Sequence, residues 1–322
     1  MHRKYFLKTI FGAFLFITMD TFSSTLNMLT ETNKSENSKK FASYGAIHLK
    51  NTNLKKAITF WTKIVGMKLR KSTDTTAEFG SENNTLVVVH QTAKIGFQKG
   101  YSGLYHVAIH APNKAEFASM TNRLIVNNYP FSPVDHTMSK SMYLDDPDGI
   151  NIEFTLETPE RFKRVITTNG LQIETADGTL KSASAYLDVQ EVLKELVDKD
   201  VTKIIHSKTY IGHLHLYANN VEKSNEFYQK IGFNSFNNLP QFMYADLGAG
   251  GKYQHRIALN SWHGQNQPLA PIESAGMKSF QIIFNTKEKF NKALNNVENY
   301  QEKDGFYWIE DPTGNKITIS HI

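Results

Sequence analysis

The sequence predicts an α+β fold built from four repeated modules, each a strand, a helix and further strands. Residues 44–61 (YGAIHLKNTNLKKAITFW) and 211–228 (IGHLHLYANNVEKSNEFY) share a glycine, an alternating strand, a polar turn and a helix ending in two aromatic residues. Tight turns recur at 146–149 (DPDG) and 311–314 (DPTG). The glycines and the turns are separated by nearly the same number of residues, which indicates a duplication.

Each half of the repeat divides once more. Strands at Gly103–Ile109 and Gly276–Phe284 are each followed by a helical pattern, at Lys114–Val126 and near Lys287–Val297. The sequence thus predicts two tandem domains, at residues 43–158 and 210–322. A connector over residues 159–209 separates them and should hold one helix at Leu187–Val197, where apolar residues follow helical spacing.

The N-terminal residues have the three-part pattern of a secretory signal. Arg3, Lys4 and Lys8 precede an apolar stretch at Thr9–Met19, and small residues follow. We therefore predict a signal peptide over residues 1–24 and a flexible linker over residues 25–42. Cleavage implies an exported protein, periplasmic or extracellular, without stable membrane insertion. The alternatives are an uncleaved anchor and an ordinary start of a cytoplasmic protein.

Composition narrows the chemistry of any site. The chain has 322 residues and no cysteine, which excludes disulfides, thiolate metal sites and a cysteine nucleophile. Any metal must therefore bind to His, Asp or Glu, and the chain has 12 histidines. Its net charge of +5 is spread along the sequence without a basic run, so nucleic-acid binding is not expected.

Histidines fall at equivalent positions of the repeat. The matched positions at the start of the four modules and after the two turns are Ala46, His106, His213 and Ser279, then Glu153 and Thr318. One set therefore contains two imidazoles and a carboxylate, and the other contains none. Two histidines and one carboxylate form a facial triad, which leaves half of an octahedral ion open and suits Fe(II) or Mn(II). His110 and His215 share a strand face with His106 and His213, but we do not assign them as ligands.

The repeated module resembles that of the vicinal oxygen chelate superfamily. That group includes glyoxalase I, fosfomycin and bleomycin resistance proteins and type I extradiol dioxygenases. More narrowly, the sequence is similar to bacterial two-domain catechol 2,3-dioxygenase-like proteins. The segments that match are Gly103–His106, Asp135–Ser139, Tyr143–Glu153, Ile211–His215 and Gly250–Trp262.

The resemblance implies mixed, curved sheets that form half-open barrels, and an enzyme that uses a metal. In its dioxygenase members all three ligands commonly come from the second half of the chain. Here two come from the first half, so the second module must pair with the third and the first with the fourth. The implied reaction is the opening of a catechol-like ring with O2 at Fe(II), with Mn(II) or another divalent metal as alternatives.

Such a reaction needs a group near the substrate that accepts and returns a proton. His136, just before the strand that ends at Tyr143, is the first candidate, and His255, expected on a strand of the third module, is the second. Tyr143 is expected to donate a hydrogen bond to substrate, while Tyr253 and Trp262 are expected in the pocket wall or the core. Self-association stays open.

Two other functions stay open. The same metal can serve a glyoxalase-like isomerase, an epimerase or a thiol transferase, although isomerases of this type usually place a further carboxylate at the metal. A resistance-type protein that only binds a small molecule needs no metal. The complete His-His-Glu set argues against that second alternative.

Overall fold

The computed structural model describes residues 39–322, so the predicted signal peptide and most of the predicted linker lie outside it. The strands of the first half are β1 Ala42–Asn51, β2 Lys68–Ser72, β3 Thr76–Gly80, β4 Thr85–Gln91, β5 Gly103–His110, β6 Ser132–Asp135, β7 Ser139–Asp145 and β8 Asn151–Glu157. The connector contains β9 Phe162–Ile166, β10 Gln172–Thr175, β11 Leu180–Ser182 and β12 Ala185–Tyr186. The strands of the second half are β13 Tyr210–Tyr217, β14 Asn234–Leu239, β15 Tyr244–Gly248, β16 Ile257–Asn260, β17 Gly276–Phe284, β18 Gln301–Lys303, β19 Phe306–Glu310 and β20 Lys316–His321.

Each module carries one helix after its first strand. The α-helices are α1 Leu54–Thr59, α2 Lys114–Val126, α3 Val189–Leu193 in the connector, α4 Val221–Lys230 and α5 Lys287–Asn295. The module helices begin where the polar turn supplies a cap: Asn53, Asn113, Asn220 and Thr286 each accept a hydrogen bond from the backbone N–H three residues on. A π-helical turn, Phe60–Ile64, extends α1. In the described part of the chain, no helix is both long and apolar enough to cross a bilayer.

Two large mixed sheets combine the modules in the order that the metal ligands require. The first sheet runs β18-β19-β20-β17-β1-β4-β3-β2, which joins the first module to the fourth. The second runs β12-β6-β7-β8-β5-β13-β16-β15-β14, which joins the second module to the third. At the centre of each sheet, the first strands of the two modules pair antiparallel. The predicted α+β fold with half-open sheets is confirmed.

Alternation along the strands separates the core from the concave faces. Ile47 and Leu49 of β1 are fully buried, while His48 and Lys50, which alternate with them, are only half-buried. The largest fully buried side chains include Trp61 and Phe79, whose rings lie 6.2 Å apart between α1 and the first sheet. The apolar core thus fills the helix side of the first sheet, and the opposite side is left for polar groups.

The connector differs from its prediction. Its helix extends only over Val189–Leu193, is capped by Asp188 and is followed by a turn. It is therefore shorter than the predicted Leu187–Val197. Strands β9, β10 and β11 form a small antiparallel sheet that the sequence analysis did not predict. Ion pairs from Lys163 and Arg164 of β9 to Glu174 of β10 link two of these strands. Strand β12 then extends the second sheet beside β6.

Candidate metal centre

Three adjacent strands of the second sheet bring the predicted ligands together. Strand β5 lies between β13 and β8, and His106, His213 and Glu153 are on these three strands respectively. Glu153 Oε2 lies 2.9 Å from Nε2 of each histidine, and the two Nε2 atoms are 3.2 Å apart. All three side chains are buried. The three donor atoms therefore form a nearly equilateral triangle.

The triangle has the dimensions of one face of an octahedral ion. With metal–ligand distances of about 2.1 Å, neighbouring ligands lie about 3.0 Å apart around an octahedral ion and about 3.4 Å apart around a tetrahedral one. Glu153 Oε2 is buried, and its partners among the described residues are Nε2 of His106 and Nε2 of His213, each 2.9 Å away. A buried carboxylate oxygen requires a partner, and a cation held among these three atoms would satisfy all of them. These residues therefore fit a divalent metal.

The electrostatics favour the protonation states that bind metal. Burial would raise the pKa of Glu153, but the neighbouring His213 and His106 lower it well below its ordinary value. Burial also lowers the pKa of His213 well below its ordinary value. At neutral pH the site thus offers a carboxylate and a neutral imidazole, the forms that coordinate a cation.

A buried polar chain extends behind His213. Its Nδ1 lies 2.8 Å from Nε2 of His110, and Nδ1 of His110 lies 2.9 Å from Oε1 of Glu157. The same oxygen accepts hydrogen bonds of 2.6 Å from Arg256 and from Tyr210. Burial lowers the pKa of His110, and Arg256 contributes to holding the pKa of Glu157 well below its ordinary value despite burial. His110 therefore contacts a candidate ligand without being one.

His255 lies beside the triad, although not on a strand as predicted. It precedes β16 by two residues, in the loop after β15, because the backbone turns at Gly250 and Gly251 with positive φ. Its ring centroid is 4.7 Å from that of His213. Its Nδ1 lies 2.8 Å from Oδ2 of Asp246, so the Nδ1–H donates to this carboxylate and Nε2 is left as the acceptor.

His136 and Tyr143 contact each other, and Tyr143 lies beside His106. His136 lies in the turn between β6 and β7, where its Nδ1–H donates to the carbonyl of Ala183. Tyr143 donates to His136 Nε2 over 2.9 Å, and its ring centroid is 5.4 Å from that of His106. Burial and the nearby Glu153 raise the pKa of Tyr143 well above its ordinary value, so this hydroxyl keeps its proton.

Other predicted residues have structural surroundings. Tyr253 is buried in the core beside His110 and Arg256. Trp262 is half exposed and stacks on Tyr244 with ring centroids 6.0 Å apart. His215 is buried, and its Nε2 lies 2.8 Å from the side-chain amide of Asn260. Its ring centroid is 4.9 Å from that of His106.

The sequence analysis missed Asp246, Glu157 and Arg256. Asp246 carried a signal, because it is a lone carboxylate in the apolar strand YADLG, and such a residue is seldom buried without a partner. Glu157 and Arg256 carried none, since each is an ordinary charged residue near a strand end. Only the packed strands show that Glu157 reaches His110 and that Arg256 reaches Glu157.

Comparisons with known proteins agree with this fold. Residues 45–154 match the family model for the Glyoxalase/Bleomycin resistance protein/Dioxygenase superfamily, a region that includes His106 and Glu153. A catechol-2,3-dioxygenase of Bacillus subtilis (strain 168) is 26% identical over 276 residues, which cover 83% of this chain and 93% of that protein.

Two solved structures share the fold. A Bacillus subtilis protein assigned as a dioxygenase aligns with a TM-score of 0.54 at 13% identity, covering 88% of this chain and 86% of its own. A mutant of glyoxalase I from Zea mays aligns with a TM-score of 0.51 at 13% identity, covering 87% and 94%. The family match over residues 45–154 and the relative confirm the resemblance found in the sequence, and the solved structures show the same fold.

Proposed function

We propose that this protein is a metal-dependent extradiol dioxygenase that opens a catechol-like aromatic diol with O2, using Fe(II). The observation that carries the proposal is the buried triangle of His106, Glu153 and His213, with its octahedral spacing. This donor set is typical of non-haem Fe(II) oxygenases. The relative named catechol-2,3-dioxygenase supports the same reaction. Mn(II) has the same ligand preference and is the second candidate.

His106, Glu153 and His213 would hold the ion, which would bind and activate the diol and O2 when present. Both atoms of O2 enter the product as the carbon–carbon bond beside the diol breaks, so the reaction needs no external reductant. The remaining requirement is a group that takes a proton from the diol and returns it to the product. The chain has to provide this group beside the triad.

His255 is the proposed acid–base residue. Its Nδ1–H donates to Asp246 at 2.8 Å, which directs the unprotonated Nε2 away from the carboxylate. Tyr244 also donates to Asp246, at 3.0 Å, and so fixes the carboxylate in turn. A histidine oriented by a carboxylate is a common arrangement for a general base. The hydrogen bonds that His255 makes to described residues involve Nδ1 and not Nε2, so Nε2 is left to accept from a substrate hydroxyl.

His136 and Tyr143 have a different proposed role. The Tyr143 hydroxyl occupies His136 Nε2, so His136 reaches the site through Tyr143 rather than directly. The raised pKa of Tyr143 keeps the hydroxyl protonated at neutral pH. We propose that Tyr143 donates a hydrogen bond to a substrate oxygen and that His136 positions it.

Aromatic side chains beside the triad favour a flat substrate. The Tyr105 ring lies 5.0 Å from the His106 ring and 4.8 Å from the His215 ring, and the Trp262 ring lies 6.0 Å from Tyr105. Aromatic rings at these separations provide faces and edges against which another ring can pack. The proposed substrate class is therefore a small aromatic diol.

A glyoxalase-like isomerase is the alternative, and the structural likeness to glyoxalase I keeps it in the test. Its chemistry usually employs a further carboxylate at the metal. Among the described residues, Glu153 is the one acidic side chain in the group of metal-binding atoms. Asp246 and Glu157 are nearby, but each is separated from the triad by a histidine. This arrangement favours the dioxygenase.

The deciding experiment loads the purified protein anaerobically with Fe(II) and measures oxygen uptake with a panel of small catechols. The dioxygenase proposal predicts one O2 consumed per diol and a coloured ring-opened product, both lost in Glu153→Gln. The same loaded protein is assayed for isomerisation of thiohemiacetals. Isomerase activity without oxygen uptake would replace the proposal with the alternative, and a protein that binds catechols but no metal would indicate a binding function.

We also propose that the protein acts outside the cytoplasm, on the basis of the N-terminal signal pattern. Expression of the full chain in a bacterial host, followed by fractionation and mass measurement, tests this. Export predicts periplasmic protein shortened by about the first 24 residues, as expected for signal cleavage. Full-length protein in the cytoplasm would contradict it.

A further inference from the structure

The geometry points to His110 and Glu157 as positioning residues that fix the tautomer of His213, so that its Nε2 always presents a lone pair to the metal. The inference rests on the proposed metal site but not on the reaction performed there. Neither residue touches the triad's open side. Their effect passes through hydrogen bonds between buried groups.

The argument starts at the far end of the chain. Oε1 of Glu157 receives the guanidinium of Arg256, the hydroxyl of Tyr210 and Nδ1 of His110 within 2.9 Å. A carboxylate accepts hydrogen bonds and cannot donate them. The Nδ1 of His110 must therefore carry a proton.

Charge then fixes the other nitrogen of His110. Arg256 already neutralises Glu157, and the His110 side chain is fully buried. A second positive charge there would have no free counter-charge in contact with it, because Glu157 is already paired with Arg256, and the interior penalises ions. His110 is thus neutral, and its Nε2 is an acceptor.

The last step concerns His213. His110 Nε2 lies 2.8 Å from His213 Nδ1, and because it accepts, His213 Nδ1 must donate. The neutral His213 therefore carries its proton on Nδ1, and its Nε2 holds a lone pair. That atom lies 2.9 Å from Glu153 Oε2, so two electron-rich atoms face each other. A cation between them removes the repulsion.

His106 provides a contrast within the same site. Its Nδ1 is buried and makes no hydrogen bond to any described residue. No protein group therefore holds its proton on Nδ1, and before metal binding its Nε2–H can donate to Glu153 over 2.9 Å. The two ligand histidines differ in preorganisation, with His213 fixed and His106 free to adapt.

A glycine makes room for the relay. A Cβ added at Gly212 would lie 2.0 Å from two carbon atoms of the His110 ring. Only glycine at this position lets the ring pass over the neighbouring strand and reach His213. Arg256 also donates to the Gly212 carbonyl at 3.1 Å, which holds this crossing in place.

The first test uses the metal-free protein with selectively ¹⁵N-labelled histidines. NMR spectra that separate protonated from bare ring nitrogens should assign His213 as the Nδ1–H tautomer, with His213→Asn identifying its signals. A wild-type His213 protonated on Nε2 overturns the inference, and this result does not depend on metal or activity. Failure of the dioxygenase assay alone leaves this measurement unaffected.

The second test measures metal affinity by competition with a Co(II) indicator. His110→Phe keeps the ring volume but removes the acceptor, so His213 should move its proton to Nε2 and affinity should fall roughly ten- to a hundredfold. His110→Gln offers an amide oxygen and should recover most of the affinity. His90→Phe, the same exchange in the other sheet, serves as the matched control and should bind as wild type.

The outcomes separate hydrogen bonding from packing. Equal losses in His110→Phe and His110→Gln would overturn the inference, as would unchanged affinity in His110→Phe. Circular dichroism checks that each variant is folded. If His110→Phe does not fold, the tautomer measurement and the affinity of His110→Gln still decide.

Discussion

The two large sheets share one plan but only one carries a complete set of ligands. In the second sheet the central strands present His106 and His213, and β8 adds Glu153. The equivalent positions of the first sheet are Ser279, Ala46 and Thr318. Both sheets use the same strand pairing, with bulges at corresponding places. The duplication therefore retains the scaffold in both copies and the candidate site in one.

The turn aspartates and the close-packed glycines occur in both sheets, which supports this separation of scaffold from candidate site. The turn carboxylates Asp146 and Asp311 each accept hydrogen bonds from backbone N–H groups two and four residues on. Gly45 contacts Gln281 as closely as Gly212 contacts His110, since an added Cβ would lie 2.0 Å away in both cases. A repeated glycine or aspartate in such a fold thus indicates backbone geometry, whereas an unrepeated histidine or glutamate indicates chemistry.

The largest expected effect removes the distinguishing carboxylate. Glu153→Gln should lower metal affinity by more than about a hundredfold, beyond the loss typical of an outer hydrogen-bond partner. The metal-free variant should be at least as thermally stable as the wild type, because an unpaired buried charge has been removed. Metal analysis and melting temperatures measure both. Stoichiometric metal in Glu153→Gln would refute the ligand assignment.

The next largest effect separates the two proton-transfer candidates. His255→Ala should retain the metal and lower kcat by roughly a hundred- to ten-thousandfold, as expected for a general acid–base residue. His136→Ala should have a smaller effect, because the Nε2 of His136 already accepts a hydrogen bond from Tyr143. Steady-state kinetics with metal content measured on the same samples distinguish them. A larger loss in His136→Ala would reverse the assignment.

The sequence predicts much of this comparison, for identifiable reasons. The triad is predictable because the duplication aligns its members with residues that cannot bind metal, and helix α2 because its Asn113 cap and apolar spacing agree. Pairing of the modules follows from the triad itself. Which of His136 and His255 is the better acid–base candidate is not predictable from the sequence. The answer depends on which of the two Nε2 atoms accepts the hydrogen bond from Tyr143.

Other features depend on contacts that a single chain does not display. The relay through His110 and Glu157 requires knowledge that β5, β8 and β13 are neighbours and that a bulge follows Ile211. The three connector strands are only three to five residues long and largely polar, so they lack the periodicity of a buried strand. Tertiary pairing determines both features.

A moderate effect is expected from the histidines of the first sheet. His48 Nδ1 lies 3.0 Å from His90 Nε2, with Lys278 Nζ 3.5 Å from His90 and Glu78 on the adjacent strand. Burial and Lys278 lower the pKa of His90 to about 4, and burial lowers that of His48. The unfolded chain therefore binds protons at a higher pH than the folded chain does.

The sign of the pH dependence follows from these shifts. The contribution to stability is complete above about pH 6.5, the ordinary histidine pKa, and is lost as pH falls towards 4. Urea unfolding between pH 4 and 7 gives the free energy of unfolding at each pH. This free energy should rise less steeply with pH in His90→Gln than in wild type, while metal affinity at pH 7 stays as in wild type. An unchanged slope in His90→Gln would show that this pair does not titrate with folding.

The smallest effect is expected from Ser279→Ala, which is matched to His106→Ala at the equivalent register position. His106 and Ser279 occupy equivalent places in β5 and β17, opposite His215 and His48 of the neighbouring strands. His106→Ala should abolish metal retention, whereas Ser279→Ala should keep it and change the free energy of unfolding by less than about 1.5 kcal/mol, the net value of one hydrogen bond. Metal content and urea unfolding of both variants give the contrast directly. Loss of metal in a folded Ser279→Ala variant would mean that the first sheet also contributes to the site.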